Sequence, residues 1–593
     1  MESSILDPGA PRPELPHSVR WRYATTLWII GAVLLAYSIG IAWTGGIDFT
    51  LAGIRLRSRT WQRPALLGFV CLAFVATVDR RYAWRVAGQL VSRVWRAWSA
   101  IVATISPSAI ATTATVSTFV AGLAFGTFVA GGADSSGYLN QARSFAHGRA
   151  LEESRIPERL PWREAGYKLA PLGYRPAADG RTLAPTYPPG YPLLMAPAFR
   201  MNARLAYVIV PLCGAFAVWL TYALGRGLSL PGAGAAAAVL LSLSPTFLYQ
   251  LIQPMGDVPV TAAWLLTLFL ARRATLSTAT LSGVVAGIAV TIRPNLLPLA
   301  GISWIACAIS DSGGRWRRVS AAVAATVPPL LVLGAIQSVR YGSPLASGYG
   351  ALHSLFALEN IGPNLERYPR WICETHTPLI ALFVLAPLWL AKRREHRWFS
   401  ILLWAFAIAV VAAYLPYVYF QTFEWTYTRF LLPAIPIMWL LVAAPIDSVS
   451  HRMRPAAKAA IAVLLVLLVG GFCLYVAKTR YIFALHVGER KYVQSADFVR
   501  QALPPTALLI SMQHSGSLWF YTSRPIVRWD YLDARELNEV LDWAASHGYQ
   551  PFLIVDREEF ERISAKFLPR AQRTLERLRP LAEFGDARVY AFE

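Results

Sequence analysis

Residues 109–143 read Ala109-Ile-Ala-Thr-Thr-Ala-Thr-Val-Ser-Thr-Phe-Val-Ala-Gly-Leu-Ala-Phe-Gly-Thr-Phe-Val-Ala130, then Gly131-Gly-Ala-Asp134-Ser-Ser-Gly-Tyr138-Leu-Asn140-Gln-Ala-Arg143. The first part carries no charge over a length that matches a hydrocarbon core, which about 20 apolar residues cross as a helix. The second part turns polar at once, so the chain leaves the bilayer with Asp134 at its surface. Similar apolar runs recur, and thirteen candidate spans are predicted: 23–43, 64–79, 109–130, 203–223, 231–249, 257–271, 278–292, 295–310, 319–339, 377–391, 398–419, 430–447 and 457–477. The short ones, notably 257–271 and the pair joined at Arg293-Pro294-Asn295, read as tilted, re-entrant or sheltered by neighbours. The expected fold is therefore a polytopic α-helical membrane protein of about 11–13 transmembrane helices.

Composition agrees. Hydrophobic residues make up 55% of the 593, and charged residues 15%, against about 25% charge in soluble domains. Several water-facing domains are excluded, and so is disorder. Five Cys exclude a disulfide scaffold; four of them (Cys71, Cys213, Cys307, Cys473) fall in apolar spans and Cys373 stands alone outside. The net charge of +22 reflects basic loops on the cytoplasmic side and does not call for nucleic acid. Basic clusters at Arg80, Arg81 and Arg85, at Arg272-Arg273, at Arg315, Arg317 and Arg318, at Lys392-Arg393-Arg394 with Arg397, and at Arg452, Arg454 and Lys458 all fit a cytoplasmic N-terminus. The loop with Arg55, Arg57, Arg59 and Arg63 dissents. The chain is expected in the inner (plasma) membrane, with no cleaved leader and with 131–202, 340–376 and the tail after about 480 outside.

Three parts are predicted. Residues 1–108 hold a cytoplasmic segment and two additional spans. Residues 109–479 form the membrane body with the long external loop 131–202. Residues 480–593 form a small extracytoplasmic α/β domain, with strands at 507–512, 551–556 and 588–592 and helical stretches at 489–502, 534–547 and 557–567. This tail reads as a lid or acceptor-binding module.

Five polar stretches at outer span ends are the chemical candidates. Ser135 to His147 is predicted to form an amphipathic helix along the membrane surface. Asp134, partly desolvated there, is expected to have a raised pKa, as suits a general base; capping that helix is its structural alternative. The run Tyr187-Pro188-Pro189-Gly190-Tyr191-Pro192 is neither helix nor central strand and reads as a rigid turn. Asp257, in Gln253-Pro-Met-Gly-Asp257-Val-Pro259, is a second outer carboxylate. Arg340-Tyr341-Gly342-Ser343-Pro344 and Glu424-Trp-Thr-Tyr-Thr-Arg429-Phe-Leu-Leu-Pro433 complete the set. An Arg at mid-bilayer costs about 2.5–3.5 kcal/mol, so Arg293 and Arg429 need a phosphate or carboxylate ligand, an interfacial position, or pairing with Asp257 or Glu424. Cys373-Glu374-x-His376 has ligand residue types without a zinc spacing.

These five stretches, in this order, resemble the GT-C superfamily of membrane glycosyltransferases, in the branch of protein O-mannosyltransferases and lipid A aminoarabinose transferase. The similarity covers roughly 109–593. It implies inverting transfer of a sugar from a polyprenyl-phosphate donor to an acceptor hydroxyl on a lipid, glycan or protein, at the outer face of the bilayer. Asp134 would be the general base and Asp257 a second acid orienting acceptor or sugar. Asp134 and Tyr138 match the family's acid and surface helix, Pro188-Pro189-Gly190-Tyr191-Pro192 matches its proline turn, and Tyr138, Tyr187 and Tyr191 would bind substrate. Arg293, Arg429 and Arg340 would hold the phosphate. Tyr187 occupies the place of a lysine in the aminoarabinose transferases, which leaves the arginines to supply the charge. No cofactor or metal is expected. A transporter or flippase, a lipid-linked polysaccharide polymerase or ligase, and a surface receptor are the rival readings. The absence of an internal repeat argues against the first, and the early position of the richest loop against the second.

Overall fold

A computed structural model of the chain describes residues 26–592 except 36, 39–40, 42–46, 52–53, 59–61, 79–87, 90–91, 99, 101–103, 157–161, 274, 310–312, 391–395, 419–423 and 449–454. The basic clusters at 80–85, 392–394 and 452–454 lie outside these. The chain divides into two compact units. The first comprises 1–104 with 453–461; it holds the helix Gln62–Val78 and an antiparallel hairpin of Ile47–Leu51 with Ile54–Ser58.

The second unit, 105–452 with 462–593, holds everything considered below. Its helices α1 (Pro107–Phe125), α2 (Asp134–Ala146), α3 (Gly190–Met201) and α4 (Ile209–Gly227) are followed by α5 (Pro231–Leu243), α6 (Pro245–Leu251), α7 (Asp257–Ala271) and α8 (Leu276–Ile292). Then come α9 (Pro298–Ile309), α10 (Arg315–Tyr341), α11 (Ile361–His376), α12 (Arg397–Tyr414), α13 (Ile435–Ser448) and α14 (Pro455–Thr479), whose first residues belong to the first unit.

Among the described residues, five helices are long and apolar enough to cross a membrane: 107–125, 203–227, 315–341, 397–414 and 459–479. Two bent pairs raise the count to seven: α5 with α6 at 60°, and Glu424–Leu431 with Ile435–Pro445 at 77°. The chain is a polytopic helical membrane protein. The bends have covalent causes. Pro245 and Pro433 lack the N–H that would carry a helix through, and Ser244 instead caps α6, accepting from the Phe247 N–H at 3.3 Å. The remaining apolar segments, including α7, α8 and the run 294–309, are shorter helices of 10–17 residues. They are sheltered by neighbours: Trp264 in α7 and Ala279, Ala286 and Ala289 in α8 are fully buried, and small residues let helices approach closely where lipid offers no hydrophobic drive. The expected span 377–391 is not a regular α-helix. Thr377 turns at φ 68°, and a 3₁₀ segment runs Pro378–Leu385 before the short helix Pro387–Leu390.

The tail follows the predicted alternation. Helix α15 (Arg490–Ala502) precedes a five-stranded sheet. Its strands are β1 (Ala507–Ile510), β2 (Ile526–Val527), β3 (Gln550–Asp556), β4 (Leu578–Phe584) and β5 (Ala587–Phe592), in the spatial order β2-β1-β3-β5-β4. β1 is parallel to β2 and β3, while β5 is antiparallel to β3 and β4. Ser515–Tyr521, Glu536–Ser546 and Arg557–Glu576 supply its other helices. The edge strands β2 and β4 and the helix Ser515–Tyr521 were not foreseen.

Candidate functional site

Helix α2 was expected to lie along the membrane surface. The helix forms and is enclosed by protein: Ser135 through Ala142 are all buried. The tail is the reason. Asn140 Nδ2 donates to the Gly516 carbonyl at 2.9 Å, Arg143 to the Phe520 carbonyl at 2.6 Å, and Ser517 Oγ to the Ala130 carbonyl at 2.5 Å. Arg155 adds its guanidinium, 3.7 Å from the Trp519 ring centre. The first loop and the tail are therefore one structural body, and α2 is held from both ends.

Asp134 is the first residue of α2. It does not cap the helix; no side-chain cap bond forms there. Its carboxylate turns away, accepting from Tyr187 Oη at 2.7 Å on one oxygen and from Arg429 at 2.7 Å on the other. Burial alone pushes the Asp134 carboxyl up, but the Arg429 charge and these hydrogen bonds outweigh it and hold it below the usual carboxylate range. The expected raised pKa is thereby corrected. The surroundings are desolvated, as expected, but they contain a cation.

Asp257 begins α7, where the helix dipole favours an anion, and Arg293 stands just past the C-terminus of α8, where it favours a cation. The two form a direct ion pair. Arg293 also donates to Tyr414 Oη at 2.9 Å. Both guanidiniums lie over the same Phe430 ring, 5.0 Å away for Arg293 and 4.9 Å for Arg429. The pairs differ in depth. Asp257 keeps 2% of its side-chain surface and Arg293 12%, whereas Asp134 and Arg429 keep 28% and 27%. Structural pairing was anticipated for Arg293 with Asp257; Arg429 pairs with Asp134 and not with Glu424.

These groups open onto a cavity of about 900 Å³. Tyr138 and Tyr187 line it, their ring centres 4.9 Å apart. Tyr191 supports Tyr138 from behind, fully buried, edge to face at 5.2 Å. The proline turn works through close contact. A Cβ on Gly190 would come within 2.3 Å of Thr291 Oγ1 and 2.5 Å of the Ile292 nitrogen, so glycine lets the start of α3 seat against the end of α8, one residue before Arg293. Arg340 reaches the cavity edge but is committed to protein: 1% exposed, it donates from Nε to the Ala150 carbonyl at 3.2 Å and lies 5.1 Å from the Phe145 ring centre.

Sequence reasoning missed Tyr414, Tyr349, Glu489, Tyr492 and Gln513, all on the cavity wall. Tyr414 ends an apolar span at the level of Arg293, a position from which it was legible. The others lie in loops or in the tail, with no local signal. The ligand-type run at 373–376 is otherwise engaged: His376 Nε2 bonds with Ser244 Oγ at 2.6 Å and Nδ1 with Thr375 Oγ1 at 2.7 Å.

No protein-family model matches the sequence, and neither does any curated protein. Solved structures do match. ArnT from Cupriavidus metallidurans bound to undecaprenyl phosphate is similar at a TM-score of 0.50 and 15% identity, over 81% of this chain and 97% of that one. Its apo state gives 0.51 and 15%, over 82% and 97%. An Archaeoglobus fulgidus oligosaccharyltransferase tethered with an acceptor peptide is more distant, at 0.45 and 13%, over 82% and 74%. ArnT is a GT-C glycosyltransferase. The fold of this chain is the GT-C fold, as the resemblance in its sequence implied.

Proposed function

We propose that this chain is an inverting glycosyltransferase that moves a sugar from a polyprenyl-phosphate donor to an acceptor hydroxyl at the extracytoplasmic face of the plasma membrane. The observation that carries the reading is the half-open Asp134–Arg429 pair, set beside a second acid–guanidinium pair in one cavity at the ends of membrane helices. The likeness to ArnT bound to undecaprenyl phosphate supports the donor class. On this reading the N-terminus is cytoplasmic, 109–479 carries the chemistry, and 480–593 covers it from outside.

A guanidinium has five N–H donors in a planar fork. Among the described residues Arg429 gives one to Asp134, and Arg293 uses two, on Asp257 and Tyr414. Donors remain for phosphate oxygens, which guanidinium forks match. A phosphate arriving at Arg429 competes with Asp134 for the same charge. As the pair loosens, the carboxylate loses its stabilising partner and becomes a stronger base, at the moment the sugar is in place. The acceptor oxygen then attacks the anomeric carbon and its proton passes to Asp134. The bond from anomeric carbon to phosphate oxygen breaks, and its electron pair leaves on the polyprenyl phosphate. Arg429 and Arg293 stabilise that added charge, an effect of about 2.7–4 kcal/mol for one well-placed donor. Tyr187 holds Asp134 toward the cavity; the deeper Asp257 keeps Arg293 in position.

The test is incubation of the reconstituted protein with radiolabelled polyprenyl-phosphate sugars. Appearance of label on a hydroxyl acceptor or in water, with release of polyprenyl phosphate, supports the enzyme. Movement of intact donor between leaflets without bond cleavage supports a flippase and sinks the transfer reading.

A further inference from the structure

The residues assigned above face the donor, yet the reaction also needs a place for the acceptor. The tail supplies the remaining polar wall of the cavity through Glu489, Tyr492 and Gln513. All three lie against Gly131 and Gly132, the turn that delivers Asp134. A Cβ on Gly131 would come within 1.9 Å of Glu489 Oε2, and one on Gly132 within 3.5 Å of Gln513 Nε2 and 3.8 Å of Tyr492 Oη. Gln513 Nε2 donates to Tyr492 Oη at 3.0 Å, which fixes the amide above the turn. The Gln513 backbone N–H is held by Glu559 at 3.0 Å, and His514 by Asp556 at 2.8 Å, so this wall is anchored in the tail's own hydrogen-bond network.

Three carboxylates line the cavity among the described residues: Asp134, Asp257 and Glu489. The first two are matched by guanidiniums. The Glu489 backbone is bonded within the chain, to the Leu485 carbonyl at 3.0 Å and from the Tyr492 N–H at 3.2 Å, but its carboxylate makes no hydrogen bond or ion pair among the described residues, and the residue is partly buried. A partly buried carboxylate without a protein donor is satisfied by whatever fills the space it faces. Its free side is the cavity, so a ligand's O–H is the natural complement.

We infer that Glu489 is the acceptor-binding carboxylate. With Gln513 it takes the hydroxyls of a polyol acceptor and sets the attacking one beside Asp134. This rests on the glycosyl-transfer reading above. In its ionised form Glu489 accepts hydrogen bonds only; the transferred proton still goes to Asp134. Burial pushes the Glu489 carboxyl up to about 7, despite the nearby Lys491; this marks a group whose charge lacks compensation until a donor arrives.

The experiment uses full-length protein in lipid vesicles, undecaprenyl-phosphate-linked hexoses and pentoses as donors, and n-octyl β-D-glucoside as the probe acceptor, with water competing. Glu489→Ala should raise KM for the glucoside at least tenfold while donor hydrolysis and undecaprenyl phosphate affinity stay within twofold of wild type. Gly131→Ala, which pushes the carboxylate aside, should act in the same direction, and Glu489→Asp should recover part of the loss. An unchanged glucoside KM in Glu489→Ala overturns the inference, as does a parallel loss of undecaprenyl phosphate affinity. Wild type that hydrolyses donor but never glycosylates the glucoside overturns the polyol assignment. Wild type with neither activity on any donor removes the transfer reading itself, and this inference with it.

Discussion

Arg429 donates to Asp134 at 2.7 Å across 295 residues of sequence. One residue starts the helix after the first span of the second unit; the other lies in the first arm of the bent pair Glu424–Leu431 and Ile435–Pro445. On the proposed reading their pairing makes a latent base from an ordinary ion pair, and the first prediction follows from it. Asp134→Asn should lower kcat by about 10²–10⁴-fold, the usual worth of general base catalysis, while undecaprenyl phosphate still binds. Arg429→Gln should weaken undecaprenyl phosphate binding by about 10–150-fold, the equivalent of roughly 1.5–3 kcal/mol for a charged hydrogen bond. Titration of both variants by intrinsic fluorescence, alongside kcat, separates the two roles; equal losses of affinity in both would remove the distinction.

The second prediction concerns pH. The Asp134 carboxyl is held below its usual value, so its contribution to stability is present above the unfolded value near 3.9 and is lost as pH falls through the lower folded value. Between pH 5 and 7 it stays ionised. Donor hydrolysis, which by the assignment above does not use Glu489, should therefore show no acid limb in that window when followed as kcat/KM, which reports the free enzyme with the pair intact. In Arg429→Gln the carboxyl rises, because burial is no longer outweighed, and an acid limb should appear. A wild-type limb between pH 5 and 7 would contradict the pairing.

Glu489 gives the opposite sign. Its folded value, about 7, lies above the unfolded one, so the folded state binds the extra proton and stability falls as pH rises from about 4.3 toward 7. Lys491 lowers the value, Asp556 and Asp586 raise it, and Tyr249, Tyr492 and Tyr521 also sense the group. Glu489→Gln removes the titration. Its Tm should exceed that of wild type at pH 8 and converge with it at pH 4.5. Parallel Tm curves across that range would show that the carboxyl is not perturbed.

The deep pair behaves differently from the shallow one. Asp257 has 2% of its side-chain surface exposed, and removing one partner of a buried pair strands the other, at about 3–5 kcal/mol. Asp257→Ala should therefore lower thermal stability markedly, and Asp257→Ala with Arg293→Leu should recover part of it, since neither charge is then left alone. Differential scanning fluorimetry in detergent reads both. A double variant less stable than the single one would mean that Arg293 finds another partner.

Much of this architecture was legible locally. Uncharged runs of span length, an acid directly after one of them, and the strand–helix alternation of the tail are properties of short windows, and Ala507–Ile510, Gln550–Asp556 and Ala587–Phe592 lie where they were expected. What was not legible depends on contacts between distant windows. The amphipathic pattern of α2 reads as a helix with one wet face, and nothing within it announces that Gly516 and Phe520 will cover that face. The desolvation of Asp134 was foreseeable from its position; the sign of its pKa shift was not, because that depends on Arg429. Glu489 sits at the start of a stretch of mixed polar and apolar residues with helical period, 489–502, where an exposed carboxylate is the ordinary expectation.

The proline turn carries the last prediction. Its function is close packing: Gly190 brings the start of α3 onto the Thr291–Ile292 backbone, adjacent to Arg293. Alanine there places a methyl 2.5 Å from the Ile292 nitrogen, and backbone cannot swing aside as a flexible side chain does. Overpacking of this kind costs about 1–3 kcal/mol. The strain falls one residue from a guanidinium assigned to the phosphate, so Gly190→Ala should both lower Tm and weaken undecaprenyl phosphate binding. A control at Gly180, whose added Cβ meets nothing within 4 Å but whose φ is +67°, should lower Tm through backbone strain without changing phosphate affinity. If both variants weaken binding equally, the turn acts through general destabilisation; if only Gly190→Ala does, the contact between α3 and the end of α8 positions Arg293.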